Sequence, residues 1–169
     1  MPAPTTARLF IALWPDDAVR ATLAACRNRF ELPSHARPVS DAKLHLTLHF
    51  LGSVATERIG ELADALQIPS ARFELRLEQI DCWAGGLTVL RPRRSPAALM
   101  QLHADLAACL QRLAMPLEAR HFRPHVTLAR RHAGCDKQLL DEPIRWPVDG
   151  HVLVQSTPDG QYRVLQSYR

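Results

Sequence analysis

Between Lys43 and Phe50 the chain alternates without a break. Leu44, Leu46, Leu48 and Phe50 are apolar, and His45, Thr47 and His49 are polar. A period of two is the signature of a β-strand with one face in a core and the other toward solvent, a cleft or a partner. The polar row also recurs: His45-Leu46-Thr47-Leu48 is followed 80 positions later by His125-Val126-Thr127-Leu128. With 8 histidines in 169 residues, random order would yield about 0.06 copies of His-x-Thr-Leu. One short motif carries little weight; two at matched positions in the two halves carry more.

The rest of the chain supplies strands and helices around these rows. Arg8 to Trp14 is a short apolar run, hence a strand covered on both faces. Pro15-Asp16-Asp17 breaks it and caps a helix near 16–30 carrying Val19, Leu23, Cys26, Arg27 and Phe30. A polar connection over 31–42 contains a brief extended piece, Arg37-Pro38-Val39, joined directly to the motif strand and placed to lie over its polar row. Gly52-Ser53 is expected to end that strand, and Thr56 or Ser53 to cap a helix with Ile59, Leu62, Ala63 and Leu66. Arg72 to Trp83 alternates again, and Ala84-Gly85-Gly86 turns it into Leu87–Leu90, a hairpin. Ser95 and Pro96 open a helix to about 113, and His125–Arg130 is the second motif strand. Positions 131–145 read as irregular, with Leu139-Leu140 a single helical turn, and Val148–Ser156 and Tyr162–Tyr168 as the final strands. The order β-α-β-α-β-β-α-β-β-β leaves little room for right-handed crossovers throughout. The expected fold is α+β: two pseudo-symmetric lobes with antiparallel sheets and helices on the outer faces, each presenting its His-Thr row to a shared groove. Residues 1–169 are expected to form a single bilobal domain.

Composition narrows the class. Apolar residues make up 47% of the chain, enough for a core, and no run approaches the ~20 apolar residues of a membrane span. Met1-Pro2-Ala3-Pro4 lacks the plan of a signal peptide, so a cytoplasmic location is expected. Cys26, Cys82, Cys109 and Cys135 are widely spaced, which predicts reduced thiols and argues against a zinc site. The net charge of +4 and pI near 9.2 suit a polyanionic partner without specifying one.

Residues two apart on a strand lie about 6.5–7 Å apart on one face. His45 and Thr47 would line one wall of the groove, and His125 and Thr127 the other. A phosphate between them could accept hydrogen bonds from both hydroxyls and one protonated imidazole. An imidazole titrates near pH 6.5, so one ring can act as base while the other acts as acid. A strained 2′,3′-cyclic phosphate could then be opened without a metal or any other cofactor. His49 shares the His45 face by strict alternation and is a candidate substrate contact or a plain exposed residue. As a metal ligand with His45 it would sit about 13 Å away on a strand, too far for one ion. Arg130 falls opposite His125 by alternation and reaches a phosphate only if the strand ends or bulges at Ala129. His103 lies on an apolar helix face; His35, His132 and His151 read as loop or surface. Arg91, Arg93 and Arg94 are the densest basic cluster, read either as a solvated loop or as an RNA-backbone contact. On the positive charge and the groove together, a non-catalytic RNA-end or nucleotide-binding module on the same fold is the alternative.

At the motif level the chain resembles the two-histidine phosphoesterases, specifically the RNA 2′,3′-cyclic phosphodiesterases once called 2′-5′ RNA ligases. Arg8–Leu13 resembles the family's opening strand, and Leu44–Gly52 its first motif, where Lys or Arg more usually stands at the place of His49. Phe122–Arg130 resembles the second motif and Gly160–Leu165 the closing strand. The resemblance implies a two-lobed α+β fold and metal-independent opening of RNA 2′,3′-cyclic phosphate ends to 2′-phosphates. It implies that His125 activates water and His45 protonates the leaving 3′ oxygen. It also implies that Thr47, Thr127 and Arg130 hold the phosphate. The implied partner is RNA with a cyclic phosphate end, including tRNA halves that the reverse reaction would join 2′-5′. The protein is expected to act as a monomer, off the membrane.

Overall fold

The computed structural model describes residues 5–132 and 134–169; the opening Met1–Pro4, read above as lacking a leader's pattern, lies outside the described residues. The elements run β1 (Thr6–Leu13), α1 (Asp17–Arg29), β2 (Arg37–Pro38), β3 (Leu46–Ala55), α2 (Ile59–Ala65), β4 (Phe73–Trp83), β5 (Leu87–Arg91), α3 (Ala97–Arg112), β6 (Val126–Arg130), β7 (Gln138–Val148), β8 (His151–Ser156) and β9 (Tyr162–Tyr168). Among the described residues no helix is long and apolar enough to cross a membrane.

The strands form an antiparallel sheet in the order β7-β4-β5-β6-β3-β1-β8-β9, with β2 attached to β6. The fold is α+β with two lobes, β3-β1-β8-β9 and β6-β5-β4-β7. Each lobe repeats one unit: a strand, a helix, then an antiparallel neighbour carrying the His-x-Thr motif, as β1-α1-β3 and β5-α3-β6. The helices are exchanged, α1 packing on β7 and α3 on β3. One apolar cluster runs beneath both lobes, including Leu9, Ile11, Leu46 and Leu48 from one and Leu75, Leu90, Val126 and Leu128 from the other. Burying such a side chain contributes about 1.5–3 kcal/mol. A one-residue slip of either motif strand would expose its row, so packing fixes which face the polar residues take. A smaller cluster of Phe10, Ala12, Val152 and Val154, flanked by Trp14 and Tyr162, lies on the opposite face of the first lobe.

Four expectations need correction. The stretch read as irregular contains β7, an edge strand paired to β4 with Ile144, Trp146 and Val148 inward. Its prolines, Pro143 and Pro147, hid it; an edge strand tolerates them because one side of its backbone needs no ladder bonds. Gly52 does not end β3, which continues to Ala55 beside β1. At φ +69° Gly52 takes a conformation that favours glycine, next to a register shift. Neither Thr56 nor Ser95 caps a helix: Thr56 bonds to Thr5, and α3 starts without a side-chain cap, whereas Asp16 does cap α1 through the Val19 N–H at 2.8 Å. Finally, Cys82 and Cys135 form a disulfide, and only Cys26 and Cys109 are free, both buried. The loop after β6 brings Cys135 back to β4, a closure that residue spacing does not reveal.

Candidate active site

The two motif strands touch at one place. β3 and β6 pair at Leu46↔Val126, and antiparallel register then sets His45 across from Thr127 and Thr47 across from His125. All four lie on the face opposite the buried Leu46 and Val126. Residues directly opposed across a ladder have Cβ atoms about 4.5–5.5 Å apart and diagonal neighbours about 7–8 Å. Two imidazoles on that diagonal can flank one phosphate. Past this pair β6 leaves β3 and takes β2 as its neighbour, at Pro38↔Ala129 and Arg37↔Arg130, so the seam opens into a wedge.

Each motif strand bulges just beyond its threonine. Against β1, Thr47 and His49 oppose consecutive residues, Ala12 and Ile11; against β5, Thr127 and Ala129 oppose Val89 and Thr88. The extra residue, Leu48 or Leu128, inverts the alternation after it. In β6, Leu128 and Ala129 are both buried and Arg130 turns outward on the His125 side, the bulge that strict alternation lacked. In β3, Leu48 and His49 are both buried and Phe50 turns outward, with the Arg8 guanidinium 4.9 Å from its ring. His49 is therefore not the groove-facing substrate contact that alternation implied. It points to α3, its Nε2 2.9 Å from the His103 carbonyl and its ring stacked 4.0 Å from His103.

Both remaining histidines are anchored alike. His45 Nδ1 lies 2.6 Å from the Lys43 carbonyl and His125 Nδ1 2.7 Å from the Arg123 carbonyl. A carbonyl only accepts, so each Nδ1 carries hydrogen and each Nε2 is left as the working nitrogen. His45 Nε2 is 2.9 Å from the Thr47 hydroxyl.

Their surroundings differ. His45 is enclosed by Phe10, Tyr162 and Trp14 at ring distances of 4.9, 5.5 and 5.8 Å. The Arg20 guanidinium lies over the Trp14 ring and the Lys43 ammonium over Tyr162. Burial pushes the His45 pKa down to about 4; the Lys43 carbonyl opposes this, and the charges of His125, Arg20 and Arg130 add to it. His125 meets one aromatic ring, Trp83 at 4.6 Å, and the Arg123 guanidinium lies 3.9 Å from that same ring. Its pKa is also lowered, by burial first, against the Arg123 carbonyl and with the Arg123 and Arg130 charges.

The β4–β5 turn supports this second wall. Gly86, at φ +79°, accepts the His132 N–H at 3.0 Å, and a Cβ there would lie 3.3 Å from Arg131 Cα. His132 and Thr88 bond at 2.9 Å, and the Cys82–Cys135 disulfide adjoins Trp83. His132 and His151 are thus buried rather than surface residues, His151 bonding the Leu66 carbonyl. Arg91 is paired with Asp81, leaving Arg93 and Arg94 exposed. Among the described residues no group of three or more His, Cys, Asp or Glu is placed to hold a metal ion. Sequence reasoning missed the aromatic frame of Phe10, Trp14, Trp83 and Tyr162. The signal available for it was the second apolar face of β1 and a tryptophan next to a Gly-Gly turn.

A splayed antiparallel sheet carrying paired His-x-Thr rows at its seam defines a two-histidine phosphoesterase. The sequence profile of the 2′-5′ RNA ligase superfamily matches residues 15–160, and the chain belongs to that family. It is 30% identical to an RNA 2′,3′-cyclic phosphodiesterase of Thermus thermophilus, over 95% of this chain and 89% of the relative. It is 34% identical to the enzyme so named in Escherichia coli, over 73% and 71% of the two chains. The crystal structure of E. coli LigT complexed with 3′-AMP superposes with a TM-score of 0.88 at 27% identity, covering 97% of this chain and 98% of that one.

Proposed function

We propose that this phosphoesterase opens RNA 2′,3′-cyclic phosphate ends to 2′-phosphates by paired-histidine acid–base catalysis, without a metal. The single pair Leu46↔Val126 is the observation that carries the reading, because it brings two distant His-x-Thr rows to one face. His125 Nε2 takes a proton from water as its oxygen attacks phosphorus. The P–O3′ bond breaks, and His45 Nε2 gives its proton to the 3′ oxygen. Thr47 and Thr127 donate hydrogen bonds to the non-bridging oxygens, and Arg130 supplies positive charge. Burial favours the neutral His45 ring at pH 7; a bound phosphate anion favours the protonated ring, so substrate itself arms the acid. The names of the Thermus and E. coli relatives support RNA ends as substrate. With a 5′-hydroxyl in place of water attacking phosphorus as the P–O3′ bond breaks, the same step would join tRNA halves through a 2′-5′ bond. We read residues 1–169 as one monomeric bilobal domain acting in the cytoplasm, where the thiol pool would reduce an accessible Cys82–Cys135 bond.

Purified protein treated with EDTA should convert an oligoribonucleotide with a 2′,3′-cyclic phosphate end to the 2′-phosphate. Binding without turnover, or activity that disappears with chelation and returns with added metal, would overturn the reading.

A further inference from the structure

We propose that Arg37, side by side with Arg130, binds the backbone phosphodiester next to the reacting end, so that the groove holds an RNA strand rather than its terminal nucleotide alone. This rests on the cyclic-phosphate reading above and extends it.

Arg37 and Arg130 are direct partners on the β2–β6 ladder, so their side chains share one face. That face is the groove, since the β6 bulge turns Arg130 toward it and the charge of Arg130 acts on both His45 and His125. β2 lies in the wedge where β6 departs from β3. Like charges directly opposed across a ladder oppose pairing. Here both are exposed, and among the described residues neither guanidinium enters an ion pair.

The strand that carries Arg37 is only two residues long, yet it is clamped. Val39 N–H donates to the Leu128 carbonyl at 2.8 Å, and the buried Arg27 donates to the Val39 carbonyl at 2.5 Å and pairs with Asp41 at 2.7 Å. A repulsive pair held in place by a buried arginine is a seat for an anion. The terminal phosphate occupies the seam between the histidines, so the anion left for Arg37 is the next phosphate along the strand. Arginine suits it because its planar fork matches phosphate oxygens.

The test compares KM for a 2′,3′-cyclic mononucleotide and for a short oligoribonucleotide with the same end. Arg37→Ala should raise the ratio of oligonucleotide to mononucleotide KM about tenfold and lower the salt slope of oligonucleotide binding by about one. Arg37→Lys, which keeps the charge, should recover most of the loss. An equal change on both substrates, or no change on either, overturns the proposal. Parent protein that turns over neither substrate would instead sink the functional reading itself, and this proposal with it.

Discussion

The two walls of the groove share a motif, a bulge and an anchor, yet each histidine is framed differently. His45 sits in a three-sided aromatic box, two of whose rings, Trp14 and Tyr162, also carry a cation. His125 leans on one tryptophan, which is shared with Arg123 and followed by the glycine turn that holds the segment after Arg130. Backbone symmetry places two equivalent nitrogens on one face of the seam, and the side chains behind them make the nitrogens unequal. An acid and a base can therefore arise from one repeated unit without any change in the motif.

Removing either ring is the harshest test of this comparison. His45→Ala and His125→Ala should each lower kcat by about 10²–10⁴-fold, the usual worth of one acid–base group, while the circular dichroism spectrum and Tm stay near the parent's. The two should then diverge on a substrate whose leaving oxygen is already a good leaving group. There His45→Ala should recover activity and His125→Ala should not. Equal recovery, or near-parent turnover by either variant on the natural end, would mean that the walls do not divide the work as proposed.

Much of this asymmetry was out of reach of the sequence, for a physical reason. Alternation placed both His-Thr rows and the leucines beneath them, because apolar burial dictates which face a strand turns inward. It failed at His49 and left Arg130 undecided, because a bulge inserts a residue without leaving a mark on hydrophobic pattern. Leu48 and Leu128 look like ordinary core positions in either register. β7 was missed since Pro143 and Pro147 interrupt its strand pattern, and only the sheet order reveals that it is an edge. The exchange of α1 and α3 between lobes, and the return of Cys135 to Cys82, depend on contacts remote in sequence. Local pattern reports which residues are buried, and the third dimension decides what they are buried against.

Arg130 is the charge both walls share, so its removal should move them together. Arg130→Ala should lower kcat/KM by roughly 10- to 100-fold through lost phosphate binding. The pH profile carries the sharper information. Burial holds both imidazoles below their ordinary value, and the Arg130 charge adds to that lowering. Its loss should shift the acidic and basic limbs of kcat/KM to higher pH, with Arg130→Lys remaining close to parent. A shift in one limb only would show that Arg130 belongs to one wall.

The smallest effect concerns the tie behind both walls. His49 on β3 stacks on His103 of α3, which stacks in turn on Phe122, three residues before His125, at 3.9 Å. Burial, with the neighbouring His49, pushes His103 down to about 4, and burial lowers His49 too. A histidine whose folded pKa is depressed contributes stability that is fully present above its unfolded value near 6.5. That stability is lost as pH falls toward the folded value. The parent Tm should therefore drop between pH 6.5 and about 4. Other depressed histidines, His45 and His125 among them, share in that drop, so the parent curve alone does not isolate the stack. His103→Phe keeps an aromatic between His49 and Phe122 but removes one titrating ring. Its Tm should fall less steeply than the parent's, by a few degrees across the window. Parallel curves for the two proteins would mean that protonation of His103 does not strain the stack, and that the backs of the two walls are joined by packing alone.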